Sequence, residues 1–407
     1  MILGETGPEA RPSVKHESLH AAAIVGVTFL YWAVTSGEKL VVPLYSISLG
    51  ADVWLVGLIV GAASFLPLFL AVPVGLISDV LGHRRTIIIG AVGMALSSAV
   101  FCLGRGIWGL FIAQPLIGVS ELMVWAPVQV VMTEGADRTA RERRVSSASA
   151  AISLGQLAGP VAGGFIGDQL GYTAVFAVCV VASAFLLVSA IFLRRDVRGS
   201  SRPNMTFRGI IEVAGDVLKS RLVLLALLHT FLLIFTQSVA TSFLPVLLTV
   251  KFGYSPVVVG LSASVRAFAS LAIRTFMPRL TARFGLINTL NAASLLSLVS
   301  MMAAPLYGAY LPTLWIGSLV CGIGGGLQMP LAILLIGNNC SQSLLGVAMG
   351  LRLTMNRLGQ LVGPLMFGFI SGSLGLPASF YISGLALLLL LGGSVIRERK
   401  EADAMAG

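Results

Sequence analysis

The sequence predicts an all-α polytopic membrane protein, with twelve transmembrane helices arranged as two six-helix, pseudo-symmetric halves. Three observations carry that expectation. The 407 residues are 56% hydrophobic and only 11% charged, with a mean hydropathy of +0.93, whereas soluble domains carry about 25% charged residues. The apolar runs are long and unbroken, which selects helices over the closed barrel, the other structure able to cross a bilayer. And GQLAGPVAGGFIGDQLG at 155–171 returns as GQLVGPLMFGFISGSLG at 359–375, identical at ten of seventeen positions with an offset of 204 (359 − 155).

Taken in order, the apolar runs able to span about 30 Å of hydrocarbon as helix fall at 20–45, 53–77, 86–104, 107–132, 146–168 and 172–193. The second set falls at 222–248, 255–277, 285–306, 311–336, 344–371 and 377–396. Spans five and eleven hold the repeated stretch, so they occupy equivalent places in two halves. The longest polar stretch, 194–221, separates those halves. The expected organisation is a first six-helix half at 1–195, a linker at 196–221 and a second half at 222–407. Parallel repeats of this kind, related by an axis along the membrane normal, build one large transporter fold.

Charge placement supports an even number of spans. With the N-terminus inside, twenty basic residues between Arg11 and Lys400 fall on inner segments, against Arg105 and Lys251 on outer ones, a strong positive-inside bias. Both termini are therefore expected in the cytoplasm. The same bias accounts for the net charge of +10 without a nucleic-acid partner. Asn204-Met205-Thr206 matches a glycosylation triplet, but a cytoplasmic position makes the match accidental. Cys102, Cys179, Cys321 and Cys340 have no metal-like spacing and imply no disulfide framework. About 19 mostly polar residues precede the first apolar run, a layout unlike that of a cleavable signal peptide.

Span two ends in GLISDVLGHRR (75–85). Here the chain resembles the major facilitator superfamily, whose loop between helices two and three reads Gly-x-Leu-x-x-Asp-x-x-Gly-Arg-Arg or close to it. Gly75, Asp79, Gly82, Arg84 and Arg85 stand where that pattern wants them, with His83 in place of the first basic residue. Physically, Gly82 turns the chain and Asp79 can cap a helix or pair with an arginine. The corresponding PRLTARFGLIN (278–288) has Ala282 in place of the aspartate, so a conformational latch is expected in the first half. On span five, Gly155, Gly159, Pro160, Gly163 and Gly164 resemble the helix-five signature of the drug/proton antiporter branches, echoed by Gly359, Gly363 and Pro364 on span eleven. Glycines let backbones approach closely, and proline bends the helix. The resemblance implies export. On span four, LFIAQPLIG (110–118) carries Gln114 where the family pattern has arginine, a residue the resemblance associates with proton transfer.

Ionisable side chains inside the bilayer each cost about 2.5–3.5 kcal/mol on insertion scales and mark function. Glu121 lies near the middle of span four, and Glu38 in the outer part of span one beside Lys39. A carboxyl group in a semi-dry cavity can take up and release a proton near neutral pH, so Glu121 and Glu38 are the candidates for proton coupling. The second half instead carries Arg266, Arg274, Arg352 and Arg357, with no acid in any span. Arg274 and Arg352 lie near the inner surface, where they can snorkel; Arg266 and Arg357 lie deeper and need partners. Tyr31, Trp32, Trp125, Gln129, Gln237, Gln328, Arg266, Asn356 and Arg357 are the expected substrate-cavity residues, with His229 a weaker candidate. CGIGGGLQMP (321–330) has no following lysine and reads as close packing, not a phosphate loop.

Two transporter readings follow. One is a proton-coupled antiporter exporting small organic molecules by alternating access. The other is an organic-anion symporter or exchanger using the buried arginines. No nucleophile–base pair, metal cluster or nucleotide loop is present in the sequence, so neither an enzyme nor a resident cofactor is implied. The expected partners are a small-molecule substrate, protons and the lipid bilayer, with the protein a monomer in the inner cell membrane.

Overall fold

The computed structural model describes residues 14–104, 106–132, 138–194, 215 and 217–406. Arg11, Arg105 and 195–214, including the Asn204-Met205-Thr206 triplet and most of the expected linker, lie outside the described residues.

Twelve long helices make up the described chain. The first half comprises α1 (Val14–Ser48), α2 (Val53–Leu81), α3 (His83–Leu103), α4 (Ile107–Val131), α5 (Arg138–Leu170) and α6 (Tyr172–Ile191). The second comprises α7 (Arg221–Val246, continued by a π turn Leu247–Lys251), α8 (Pro256–Arg274), α9 (Leu286–Met302), α10 (Leu311–Asn339), α11 (Gln342–Leu374) and α12 (Leu376–Ala406). Helix is the required state here, because lipid offers no partner for a free peptide group. Several helices outrun their apolar segments: α1, α5 and α11 start earlier and α12 ends later than hydropathy places them. Polar helix formers end an apolar run without ending a helix.

Among the described residues, ten helices are long and apolar enough to cross a membrane, or eleven if the pair Met277–Phe284 and Leu286–Met302, bent by 116°, is one span. The expected ninth span thus begins at the bend rather than running in line with the short helix before it. α11 is 33 residues long, but Arg352, Asn356, Arg357 and Gln360 dilute its apolar density.

The duplication is visible in the backbone. Gly50 (φ 83°), Gly82 (φ 94°) and Gly171 (φ 83°) recur as Gly253 (φ 70°), Gly285 (φ 79°) and Gly375 (φ 84°). Each pair turns the chain at the same point of its half, in the left-handed region that glycine alone enters cheaply. Side-chain bonds repeat too: Ser97 Oγ donates to the Ala113 carbonyl at 2.8 Å, and Ser300 Oγ to the Gly317 carbonyl at 3.0 Å, each tying the third helix of a half to its fourth.

The halves meet where α2 crosses α11 and where α5 crosses α8. A Cβ on Gly57 would stand 2.5 Å from the Pro364 carbonyl oxygen and 2.9 Å from Gly368 Cα. At the other crossing, a Cβ on Gly260 would run into the Pro160 carbonyl and stand 3.4 Å from Gly164 Cα. Gly57 and Gly260 are repeat counterparts, as are Gly368 and Gly164. The repeated stretch is therefore the surface that each half presents to the other. These contacts lie at the end opposite Arg84, Arg85, Arg279 and Arg283. Towards that basic end, Gly75 and Asp79 continue the stripe of α2 that includes Gly57 and Gly61, and Gly350 continues the facing stripe of α11. Yet a Cβ on Gly75, Gly346 or Gly350 would have no neighbour within 4 Å. The bundle is closed at one end and parted at the basic end.

Candidate functional site

α1 and α4 of the first half place an aromatic cluster beside two acids. Glu121, Trp125 and Gln129 recur at four-residue spacing and so share one face of α4. Tyr31 stacks on Trp125 with centroids 5.5 Å apart and planes 9° apart, and Trp32 meets both edge-on. Tyr31 is buried, and the Trp32 indole Nε1 is a buried donor without a partner. Gln129 is exposed.

The two acids differ in every respect. Glu121 Oε2 pairs with the Lys39 ammonium at 3.3 Å, with side chains 12% and 46% exposed. Glu38, one residue before Lys39 and so about 100° away around α1, turns into the first-half bundle. It is 4% exposed, its Oε1 accepts a 2.6 Å hydrogen bond from Ser98 of α3, and Cys179 of α6 is within electrostatic reach. Its Oε2 has no hydrogen-bond partner. Glu121 thus faces the aromatic cluster as one member of an ion pair, while Glu38 sits behind it. The two remain within electrostatic reach of each other.

The basic groups of the second half also separate. Arg266 Nη1 donates to the Ala240 carbonyl of α7 at 2.9 Å. Arg274 Nε donates to the Gly326 carbonyl at 3.3 Å, and Arg352 is 8% exposed with Nε unpartnered. Arg357 Nη1 donates to Gln360 Oε1 at 3.1 Å, and Ser64 Oγ of α2 reaches the same oxygen at 3.5 Å. Tyr31 lies within electrostatic reach of both Glu121 and Arg357. The structure thus assembles Tyr31, Trp32, Trp125, Glu121 and Lys39 on α1 and α4, while Arg357 stands on α11 against Gln360, which Ser64 of α2 also reaches. Asn356, next to Arg357, keeps a buried Oδ1 without a partner. Gln237 is exposed on α7, a helix otherwise largely buried.

Gln328 and His229 stand elsewhere. Gln328 Nε2 donates to the Ala293 carbonyl at 3.2 Å and to Ser297 Oγ at 2.7 Å, holding α10 to α9. His229 Nδ1 and Nε2 bond Ser294 Oγ at 2.6 Å and Asn291 Oδ1 at 2.9 Å, with no exposure. Replacing His229 by alanine should destabilise the bundle by about 3 kcal/mol, since it removes packing and leaves the buried Ser294 and the partly buried Asn291 without this partner. The pH profile of activity per folded molecule should stay unchanged. Thermal unfolding in detergent and a pH series check both.

Ser98, Gln360 and Ser64 were not among the sequence candidates. Gln360 had a signal: it falls three residues from Arg357, on a facing turn. Ser98 had none, because α3 pairs with α1 only in three dimensions. The helix-five glycines divide by face. Gly155, Gly159 and Gly163 lie against Trp32, Ala33, Gly37 and Val41 of α1, while Gly164 lies against Pro256 and Gly260 of α8. One helix is thus pressed both to the site and to the opposite half. Asp79 is exposed at the basic end of α2, one turn before the Gly82 turn; Arg84 and Arg85 follow that turn.

The family model described as Major Facilitator Superfamily matches residues 24–255 and, a second time, 226–404. The multidrug resistance protein MdtG of Citrobacter koseri is 26% identical over 345 residues, covering 81% of this chain and 82% of its own length. The class B tetracycline resistance protein of Escherichia coli is 21% identical over 325 residues, covering 77% and 78%. Among solved structures, an inward-facing, unoccupied bacterial homolog of the human lysosomal transporter Spinster superposes with a TM-score of 0.75 at 15% identity, covering 96% of this chain and 99% of that one. Two six-helix halves, the charged turn after α2 and a family match across nearly the whole chain lead to one conclusion: this integral membrane protein belongs to the major facilitator superfamily, a family of transporters and not of enzymes.

Proposed function

We propose that the protein is a proton-coupled antiporter that exports small organic molecules, in which Glu121 receives the substrate and Glu38 carries the proton. The observation that carries this reading is the pair of acids on α1 and α4. Glu121 faces the aromatic cluster with a displaceable ammonium on it, and Glu38 lies behind with one oxygen unpartnered. A cation arriving at Glu121 adds positive charge close to Glu38. That field favours loss of the Glu38 proton, since neighbouring charge is one of the terms that set a carboxyl's protonation. Substrate and proton then exclude one another, which antiport requires. The multidrug and tetracycline resistance relatives support the direction of transport.

In this reading the basic end is cytoplasmic, as are both termini, and the protein is a monomer of the inner membrane that takes a small-molecule substrate from within. The halves rock about the α2–α11 and α5–α8 crossings. When the basic end closes, Asp79 on the α11-facing stripe of α2 approaches the N-terminus of α11, where a carboxylate is favoured.

The test is transport in proteoliposomes under an imposed pH gradient, with ethidium as the probe. The wild type should move ethidium against its gradient only when protons flow the other way. The double variant Glu38→Gln, Glu121→Gln should show no response to the gradient. Gradient-driven transport by the double variant would defeat the proposal.

The organic-anion reading keeps one specific support. Arg357 has only a neutral amide as its described partner, whereas Arg266 is held by a backbone carbonyl.

A further inference from the structure

We infer that the Thr35 hydroxyl relays the proton between Glu38, buried inside the first half, and the water around the Lys39–Glu121 pair. This rests on the reading of Glu38 as the proton carrier and names the path by which that proton reaches the site.

A path is needed because Glu38 is 4% exposed, whereas a proton exchanged for substrate has to reach the cavity in every cycle. Proton transfer runs over hydrogen-bond distances, directly or through one water. Ser98 cannot supply the path. It is fully buried, and both acceptors within its reach, Glu38 Oε1 at 2.6 Å and the Met94 carbonyl at 3.0 Å, lie inside the bundle. The oxygen left for transfer is Glu38 Oε2, which has no hydrogen-bond partner.

Helix spacing places Thr35 where it can serve. It lies three residues before Glu38 and four before Lys39, three after Trp32 and four after Tyr31. Residues three and four apart are neighbours on a helix surface. One hydroxyl is therefore set beside the proton acid, the lysine that pairs with Glu121 and both aromatic residues of α1.

That hydroxyl is also left available. Thr35 is 1% exposed, and its Oγ1 has no hydrogen-bond partner. Other buried threonines donate to the carbonyl four residues back: Thr28, two turns earlier on α1, to Ile24 at 2.7 Å, and Thr230 and Thr236 of α7 to Ala226 and Leu232, each at 2.8 Å. Thr35 leaves the corresponding bond to Tyr31 unmade. A buried hydroxyl without a bond costs about 1–3 kcal/mol. Two such oxygens one turn apart, Thr35 Oγ1 and Glu38 Oε2, mark groups kept open for a partner that comes and goes.

The transfer balances. The Glu38 carboxyl gives its proton to Thr35 Oγ1 as the Thr35 hydroxyl proton passes to a water at the Lys39–Glu121 pair, where Lys39 is 46% exposed. A rotation of the Thr35 side chain or one intervening water closes the gap between the two oxygens. Glu38 is left as carboxylate, the proton leaves on water, and Thr35 is again a hydroxyl that both donates and accepts.

The experiment follows proton release by a pH dye and ethidium binding by fluorescence in one stopped-flow record, on the purified full chain in weak buffer. The wild type is compared with Thr35→Val, Thr35→Ser, Ser183→Ala and Glu38→Gln. In the wild type, release should keep pace with binding. Thr35→Val loses only a hydroxyl that is unbonded, so it should fold as well as the wild type and bind ethidium within about threefold. It should release the same number of protons at least about tenfold more slowly. Thr35→Ser restores the hydroxyl and should bring the rate back to within about threefold of the wild type. Ser183 of α6 is the control, since its hydroxyl is also buried and unpartnered. Ser183→Ala should release at the wild-type rate.

Wild-type release rates in Thr35→Val would overturn the inference, as would slow release from Thr35→Ser. So would a smaller number of protons from Thr35→Val, which would make Thr35 a group that sets the proton affinity of Glu38. Slow release from Ser183→Ala would move the path to α6 and sink it too. Failure of the underlying reading looks different: Glu38→Gln releasing as many protons as the wild type, or a wild type releasing none, would remove Glu38 as carrier and the relay with it.

Discussion

Glu38→Gln should bind ethidium within about threefold of the wild type, yet transport it under a pH gradient about 100-fold more slowly, the loss expected when an obligatory proton group is removed. The two halves of that expectation come from one geometric fact. Glu38 turns away from the aromatic cluster and into the α1–α3–α6 packing, where Ser98 holds Oε1 at 2.6 Å. Glutamine keeps the size of the side chain and a carbonyl for Ser98. It also removes no favourable ion pair, since Lys39 is bonded to Glu121. The variant should therefore fold at least as well as the wild type, because losing a buried ionisable group that lacks an ionic partner relieves strain on the bundle. Glu121→Gln should behave differently, with binding of cations weakened first. Equilibrium binding and gradient-driven flux on the same preparations separate the two. Similar losses of both quantities in both variants would show that the acids act as one site.

Gly57→Leu and Gly260→Leu should each slow transport at least about tenfold, and by the same route. A Cβ at Gly57 falls 2.5 Å from the Pro364 carbonyl oxygen, and at Gly260 it meets the Pro160 carbonyl. Backbone cannot give way as a side chain does, so the crossing must open. Overpacking of this kind typically costs about 1–3 kcal/mol, enough to move an equilibrium between two nearly balanced states by about five- to 150-fold. Transport should fall at least about tenfold, with the bundle shifted towards states parted at the end opposite the arginines. Distance distributions between spin labels near Gly50 and Gly253, by pulsed electron spin resonance, would show the shift. Gly75→Leu lies on the same stripe as Gly57 but meets nothing within 4 Å. It should leave this structure intact and hinder closure of the basic end instead. Wild-type distances in Gly57→Leu would contradict the assignment of the crossings as the moving joint.

Much of this fold could be read from the residues because the bilayer imposes it. Apolar runs must become helices, and the repeated stretch at 155–171 and 359–375 could only be a helix used twice. What periodicity could not show was why it was used twice: Gly164 and Gly368 are paired with Gly260 and Gly57 across the halves, and those partners lie in unremarkable apolar sequence. The break at 285 was legible as the start of the ninth span, but not the short helix Met277–Phe284 before it or its 116° angle to that span, because hydropathy is blind to direction. Of the candidate site, the acids and aromatics were legible as polar or bulky residues in apolar helices. Their orientations were not. Glu38 and Lys39 are neighbours in sequence, which did not show which acid the lysine pairs with; successive residues on a helix diverge by about 100°, and Lys39 reaches Glu121. Gln328 read as a cavity residue for the same reason, while its amide bonds Ser297 on the far side of α10.

The central claim is that the substrate binds at Glu121 and the proton it displaces leaves Glu38. The most direct measurement is proton release into weakly buffered solution as ethidium is added to the purified protein, with binding followed in the same cuvette. The wild type should release protons in step with ethidium bound, and Glu38→Gln should bind ethidium and release none. Proton release from Glu38→Gln equal to that of the wild type would contradict the account.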